Sequence, residues 1–256
     1  MSFFLTEGLL AIGLFCGMLL LFEVGRRMGI ARRSHLPDGV DPGSGPVEAA
    51  VFGLFGLMLA FTFSGAASRF EDRRHLITEE ANAIGTAYLR LDLLPADAQS
   101  ALRPLFARYL KVRTEIYQNA EDVETTNARS AEANSLQLQI WSMAVTASQR
   151  HDGSPDAGKL LLPALNEMID ITTTRAVATQ NHPPRIIFFL LFALCLVSAL
   201  LAGQSTVVRS WFHKILYSGT MSSIFFVIID LEYPRFGLIR IDEADRVLQE
   251  LGNLVR

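Results

Sequence analysis

Apolar and polar positions alternate along the chain on a long scale. Four apolar runs enclose one extended polar stretch. The first run, residues 3–24, is broken only by Thr6, Glu7 and glycines before Glu23. About 20 residues at 1.5 Å each cross a hydrocarbon core of about 30 Å. No Lys or Arg precedes this run, and Arg26, Arg27, Arg32 and Arg33 follow it in place of a small-residue cleavage site. It therefore reads as an uncleaved span rather than a signal peptide. The second run covers residues 47–67. The third, about 186–203, follows the helix-breaking His182-Pro183-Pro184. The fourth is shortest at 215–229 and carries Ser218, Ser222 and Ser223. Trp211 and Phe212 extend it to about 211–230, with Trp211 as an interfacial anchor.

The polar stretch, residues 68–184, separates spans two and three. Residues 68–180 hold 12 Lys/Arg and 15 Asp/Glu, a composition suited to water. Leu76, Ile77, Ala81, Ile84 and Tyr88 recur at helical spacing, and no turn former intervenes before Pro95. Span two is thus expected to continue as one helix to about Leu94. Three further helices are expected, over about 96–119, 125–150 and 159–180. The first carries Pro104, and the loop 151–158 precedes the last. Residues 28–46 read as a loop, because the segment from Leu36 to Pro46 is dense in Pro, Gly and Asp. The resulting architecture is all-α: an integral membrane protein with four transmembrane helices and a helical soluble insert. Residues 1–67 hold spans one and two, 68–184 the insert, 185–230 spans three and four, and 231–256 a tail. The insert is continuous with span two and is not expected to be an independent domain.

Composition agrees with this division. Half of the 256 residues are hydrophobic, 19% are charged, the net charge is −3 and the mean hydropathy is +0.28. Soluble domains carry about 25% charge, so an ordinary cytosolic enzyme is a poor match. The near-neutral balance and the lack of a basic, aromatic-laced patch exclude nucleic-acid binding. Cys16 and Cys195 both lie in apolar runs, which excludes a disulfide scaffold. Arginines and lysine in the short loops (Arg26, Arg27, Arg32, Arg33, Arg209, Lys214) place those loops in the cytoplasm and the insert outside. Arg69, Arg73, Arg74, Arg185, Arg235 and Arg240 flank the spans at the opposite ends and weaken that bias.

Chemistry is sparse. The five histidines do not form the paired i, i+4 spacing of a helical zinc site. No nucleophile elbow, dinucleotide fingerprint or phosphate loop is present. Glu79 and Glu80 are adjacent on a helix, point apart and read as a solvated face. No catalytic residue, metal or cofactor is expected, and the chain is not read as an enzyme. Span two is the informative segment. Phe52, Phe55, Leu59 and Phe63 form a bulky stripe, with Thr62 near its end. Gly53, Gly56, Ala60 and Ser64 form a small stripe beside it. The two stripes fit a packing seam beside a lipid-facing strip. The functional reading is a helix beside a pore axis whose apolar side chains gate by dewetting.

After span two the chain reads Gly65-Ala-Ala-Ser-Arg-Phe-Glu-Asp-Arg-Arg-His-Leu-Ile77. This resembles the exit of the second span in bestrophin channels, Arg-Trp-Trp-Glu-x-Arg. Arg69, Phe70, Asp72 and Arg74 match the Arg, the first Trp, the acid and the last Arg, with Glu71 in place of the second Trp. Arg73 lies within the same motif. After span four, Leu231-Glu-Tyr-Pro-Arg-Phe-Gly237 resembles the bestrophin Glu-x-Pro-Phe-Gly turn, formed here by Glu232, Pro234, Phe236 and Gly237 with Arg235 inserted. Asp242, Glu243 and Asp245 stand where that family has its acidic segment. Nearly the whole chain is similar to a bacterial family of membrane proteins described as bestrophin-like. The resemblance implies a homo-oligomer, pentameric in bestrophins, whose second spans line a pore for inorganic ions, with the insert in the cytoplasm. That side is opposite to the one the short loops indicate. Read as structure alone, Arg69, Asp72, Arg73 and Arg74 make a salt-bridged collar, and Pro234 and Gly237 make a turn. The functional expectation is an ion channel in the cell inner (plasma) membrane. The alternative is a non-conducting, membrane-anchored helical sensor or scaffold.

Overall fold

Hydrocarbon offers a backbone no hydrogen-bond partner, so a spanning segment must satisfy its own N–H and C=O groups, as a helix does. In the computed structural model, which describes residues 2–35, 45–118, 122–206, 210–242 and 244–254, all four apolar runs are helical and no strand occurs among the described residues. The helices are α1 (Ser2–Arg33), α2 (Gly45–Leu89), α3 (Ala96–Gln118), α4 (Val123–Ser148), α5 (Ala157–Gln180), α6 (Arg185–Ser205), α7 (Trp211–Glu232) and α8 (Arg246–Leu254). A single 3₁₀ turn, Arg90–Leu93, ends the α2 run. α1, α2, α6 and α7 contain the four stretches long and apolar enough to cross a membrane. The protein is an all-α integral membrane protein with four spans and a helical insert between spans two and three.

Three elements differ from the sequence reading. α1 does not stop near Val24 but continues to Arg33. Glu23 accepts from Arg26 at 2.7 Å and from Arg27 at 3.2 Å, the i+3 and i+4 positions that favour a continuing helix. Arg33 then donates to the Gly29 and Gln204 carbonyls, the second of which is a terminal acceptor of α6. α4 begins at Val123, not Thr125, because Asp122 accepts from the Glu124 and Thr125 N–H groups as an N-cap. The tail is not featureless: it contains α8. The turn-rich stretch 36–44, Asn119, Arg209 and Glu243 lie outside the described residues.

The chain divides into two compact units, Met1–Phe70 with His182–Ile239, and Glu71–Asn181 with Arg240–Arg256. In the first, Leu14, Met18, Phe22, Phe55, Ala66, Leu191, Cys195, Ala199, Phe225 and Ile228 form one buried cluster. Its closest approach is between α1 and α6. A Cβ added at Gly25 would fall on the Leu200 carbonyl, one at Gly29 on that of Gln204, and one at Gly203 on that of Phe22. Such backbone contact is how helices gain packing energy where the hydrophobic effect is absent. In the second unit, Ile77, Ile84, Leu91, Leu102, Phe106, Tyr109, Ile140, Leu161 and Leu165 are fully buried. Tyr88 meets Phe106 edge-on at 5.9 Å. Leu248 buries α8 in this core, and Leu251 lies 3.4 Å from a Cβ placed at Gly85.

Gly25→Val and Gly203→Val are therefore expected to lower the thermal midpoint of detergent-purified protein, each costing about 1–3 kcal/mol or more from overpacking. Gly13→Ala, with nothing within 4 Å, is expected to leave it unchanged. A fluorescence-detected melting series checks this.

Candidate functional site

The two motifs that flank the spans meet in three dimensions. Arg69, on α2, donates through Nε to Glu232 at 2.9 and 3.2 Å and through its terminal nitrogen to the same carboxylate. The Glu232 side chain is fully buried, so this fork-to-carboxylate pairing fixes both distance and orientation. His182, just before α6, places Nδ1 3.4 Å from Glu232 and stacks on Tyr233 at 4.5 Å. Two residues earlier in α7, Asp230 is also fully buried. Its two oxygens accept from the Leu238 and Ile239 N–H groups, each at 2.7 Å. A Cβ at Gly237 would strike the Asp230 carboxylate, so this turn needs glycine. The turn after span four is thus folded around Asp230.

The rest of the first motif is divided. Phe70 is half-buried against the apolar cluster. Arg73 is buried and donates to the Ala178 and Asn181 carbonyls at 3.1 and 3.0 Å, at the C-terminus of α5. Arg74 is exposed and pairs with Glu71 at 2.8 Å, while Asp72 is exposed. In the second motif, Phe236 is half-exposed.

On the membrane half of α2, the two stripes face different surroundings. Phe55 and Thr62 turn into the unit's own interior, and Phe52 and Leu59 are partly buried. Thr62 donates to the Met58 carbonyl at 2.7 Å. Phe63 is exposed, as are Gly53, Gly56, Ala60 and Ser64. Among the described residues, no neighbour lies within 4 Å of a Cβ at Gly53 or Gly56, so these two positions of the small stripe face open space. Outside both stripes, Leu57 and Phe61 stand one turn apart and are 52% and 69% exposed, and Leu54 is 58% exposed.

The second unit holds a polar centre that sequence reading missed. Glu80, expected in water, is fully buried, whereas Glu79 is exposed. Arg113 donates to Glu80 at 2.5 Å, Arg175 donates to its other oxygen, and Tyr117 lies 3.3 Å from it. Arg175 stacks 3.8 Å above the Tyr117 ring and stands 4.0 Å from Asp245. Nearby, Gln137 donates to the Tyr109 hydroxyl at 3.0 Å. Burial pushes the Tyr109 phenol far above the usual tyrosine range, so it stays neutral. Two acids face two arginines here. A double-acid helix position could have signalled one buried partner, but its arginines lie 33 and 95 residues away. Among the described residues no group of three or more His, Cys, Asp or Glu side chains is gathered to hold a metal.

Glu80→Gln strands two buried guanidinium groups and is expected to cost about 3–5 kcal/mol. Glu79→Gln is expected to stay within about 0.5 kcal/mol. Denaturant unfolding of the two variants checks the contrast.

Comparison with known proteins adds to this geometry. The family model for the bestrophin-like domain matches residues 14–245. No curated protein sequence matches the chain. Among solved structures, a point variant of a bacterial bestrophin homologue from Klebsiella pneumoniae superposes with a TM-score of 0.71 at 15% identity, covering 95% of this chain and 99% of that one. Another variant of the Klebsiella pneumoniae homologue gives 0.68 at 17% identity, covering 94% and 98%. A structure described as a membrane protein gives 0.66 at 16%, covering 95% and 98%. At these identities the match is one of fold.

Proposed function

This chain belongs to the bestrophin-like family, and from that footing we propose that it forms a homo-oligomeric ion channel, pentameric by family resemblance, in the cell inner membrane. In this reading α2 lines the pore. The observation that carries it is the open side of α2, which is apolar or small from Gly53 to Ser64 and has no ionised side chain between Glu48 and Arg69. Gly53, Gly56, Ala60 and Ser64 allow neighbouring copies to come close. Leu57 and Phe61, one helical turn apart and both exposed, are positioned to form the apolar constriction. Phe63 flanks them. Phe52 and Leu59 stand at the edge of the open side, and Phe55 and Thr62 support the helix from behind. Arg69 and Glu232 then hold α2 in place where its apolar stretch ends.

Planar-bilayer recordings of purified oligomer test the reading. Phe61→Ala is expected to raise the current several-fold, as a wider apolar constriction wets more readily. Phe55→Ala is expected to lower the melting temperature, because it empties core volume and costs about 3–5 kcal/mol, while leaving unit conductance near wild type. A ring-shaped oligomer that carries no current in any variant would instead leave a membrane-anchored helical scaffold.

A further inference from the structure

Every buried carboxylate discussed above has a partner: Glu80 and Asp245 face arginines, Glu232 faces Arg69, and Asp230 holds two backbone N–H groups. Glu7 does not follow that pattern. It lies in the second turn of α1, is 3% exposed, and neither carboxylate oxygen has a hydrogen-bond partner. The charged group facing it is another acid, Asp230 on α7. Both Asp230 oxygens are already occupied by the turn at Leu238 and Ile239. Three arginines stand at this end of the membrane unit: Arg69 is taken up by Glu232, with His182 on the same carboxylate, while Arg185 at the start of α6 and Arg235 after α7 make no hydrogen bond to Glu7. An ionised Glu7 would therefore sit buried, unsolvated and beside a second negative charge. That is the costliest state available to a carboxylate, and buried acids without partners neutralise instead.

We propose that Glu7 is a proton-binding site of the membrane unit, occupied when the start of α1 is packed against the end of α7. The ligand is a proton rather than a cation. A neutral carboxyl removes the repulsion with Asp230 and needs no ligand cage, and the acids here are two, not a ring of donors. Releasing the proton sets Glu7 against the residue that anchors the 237–239 turn. It thereby loosens α1 from α7 at the end where Arg69 and Glu232 also meet. The inference stands whether or not the protein conducts.

Infrared difference spectroscopy of full-length protein in lipid, titrated from acid to alkaline pH, reads this directly. Wild type is expected to show a protonated carboxylic-acid band persisting at neutral pH and fading as pH rises, and Glu7→Gln is expected to lack it. Glu48→Gln is expected to keep it. In parallel, the melting temperature of wild type is expected to fall relative to Glu7→Gln as pH rises. The unfolded chain then releases a proton that the folded one must keep or lose at a penalty. Identical spectra together with parallel melting profiles overturn the proposal. So does a wild-type melting temperature restored at high pH by calcium or magnesium but unmoved in Glu7→Gln, which assigns the site to a cation. If Glu7→Gln fails to assemble, the band in wild type alone decides: its absence at neutral pH overturns the proposal.

Discussion

A lipid interior accepts no unpaired peptide group, and each one left open costs several kcal/mol. Much of this structure follows from that constraint. It makes the four apolar runs helical, and it confines charged side chains to the parts of the spans near helix ends. It also explains how α6 ends. Arg33 reaches the Gly29 and Gln204 carbonyls, so a cationic side chain from the end of α1 covers a carbonyl left open at the end of α6. Where helices must associate without a hydrophobic drive, close backbone contact takes over, as at Gly25, Gly29 and Gly203.

Within that frame, buried carboxylates organise the polar interior. Glu232 gathers Arg69 and His182, Asp230 gathers a turn of backbone, and Glu80 gathers Arg113, Arg175 and Tyr117. Buried ion pairs of this type contribute little net stability, because desolvation offsets attraction. Their effect is on geometry: a bidentate or shared carboxylate is satisfied in one arrangement and unsatisfied in its neighbours. Lys214 repeats the pattern at the other end of the spans, buried against Glu23 beneath the Trp211 ring.

The spans and most of the insert's helices were legible because their signal is local. A run of about 20 apolar residues, or Leu and Tyr at helical spacing, needs no knowledge of the rest of the chain. The motif after span two and the turn after span four were legible as separate features, but not their meeting through Arg69 and Glu232, which are 163 positions apart. Glu80 read as solvated for the same reason: one acid beside another looks like surface until the topology supplies two distant arginines. The stripes on α2 were visible, but the direction each faces depends on which side α1, α6 and α7 occupy, and that is tertiary information. The pair Gly25 and Gly29 carried a four-residue spacing that signals close helix contact, yet it sat among arginines taken to lie beyond the span. α8 was missed because nine amphipathic residues give a weak periodic signal.

The contact of α1 with α6 has a mechanical consequence. Side chains can exchange rotamers and let two helices slide or roll over one another, but a junction of main chain against main chain has no such freedom. Gly25 rests on the carbonyl of Leu200 and Gly203 on that of Phe22. Displacement toward the partner at either point ends in a collision of backbone atoms. These two helices consequently behave as a single rigid strut. Conformational change in the membrane unit has to be taken up by its other helices, with this pair as the fixed frame against which they move.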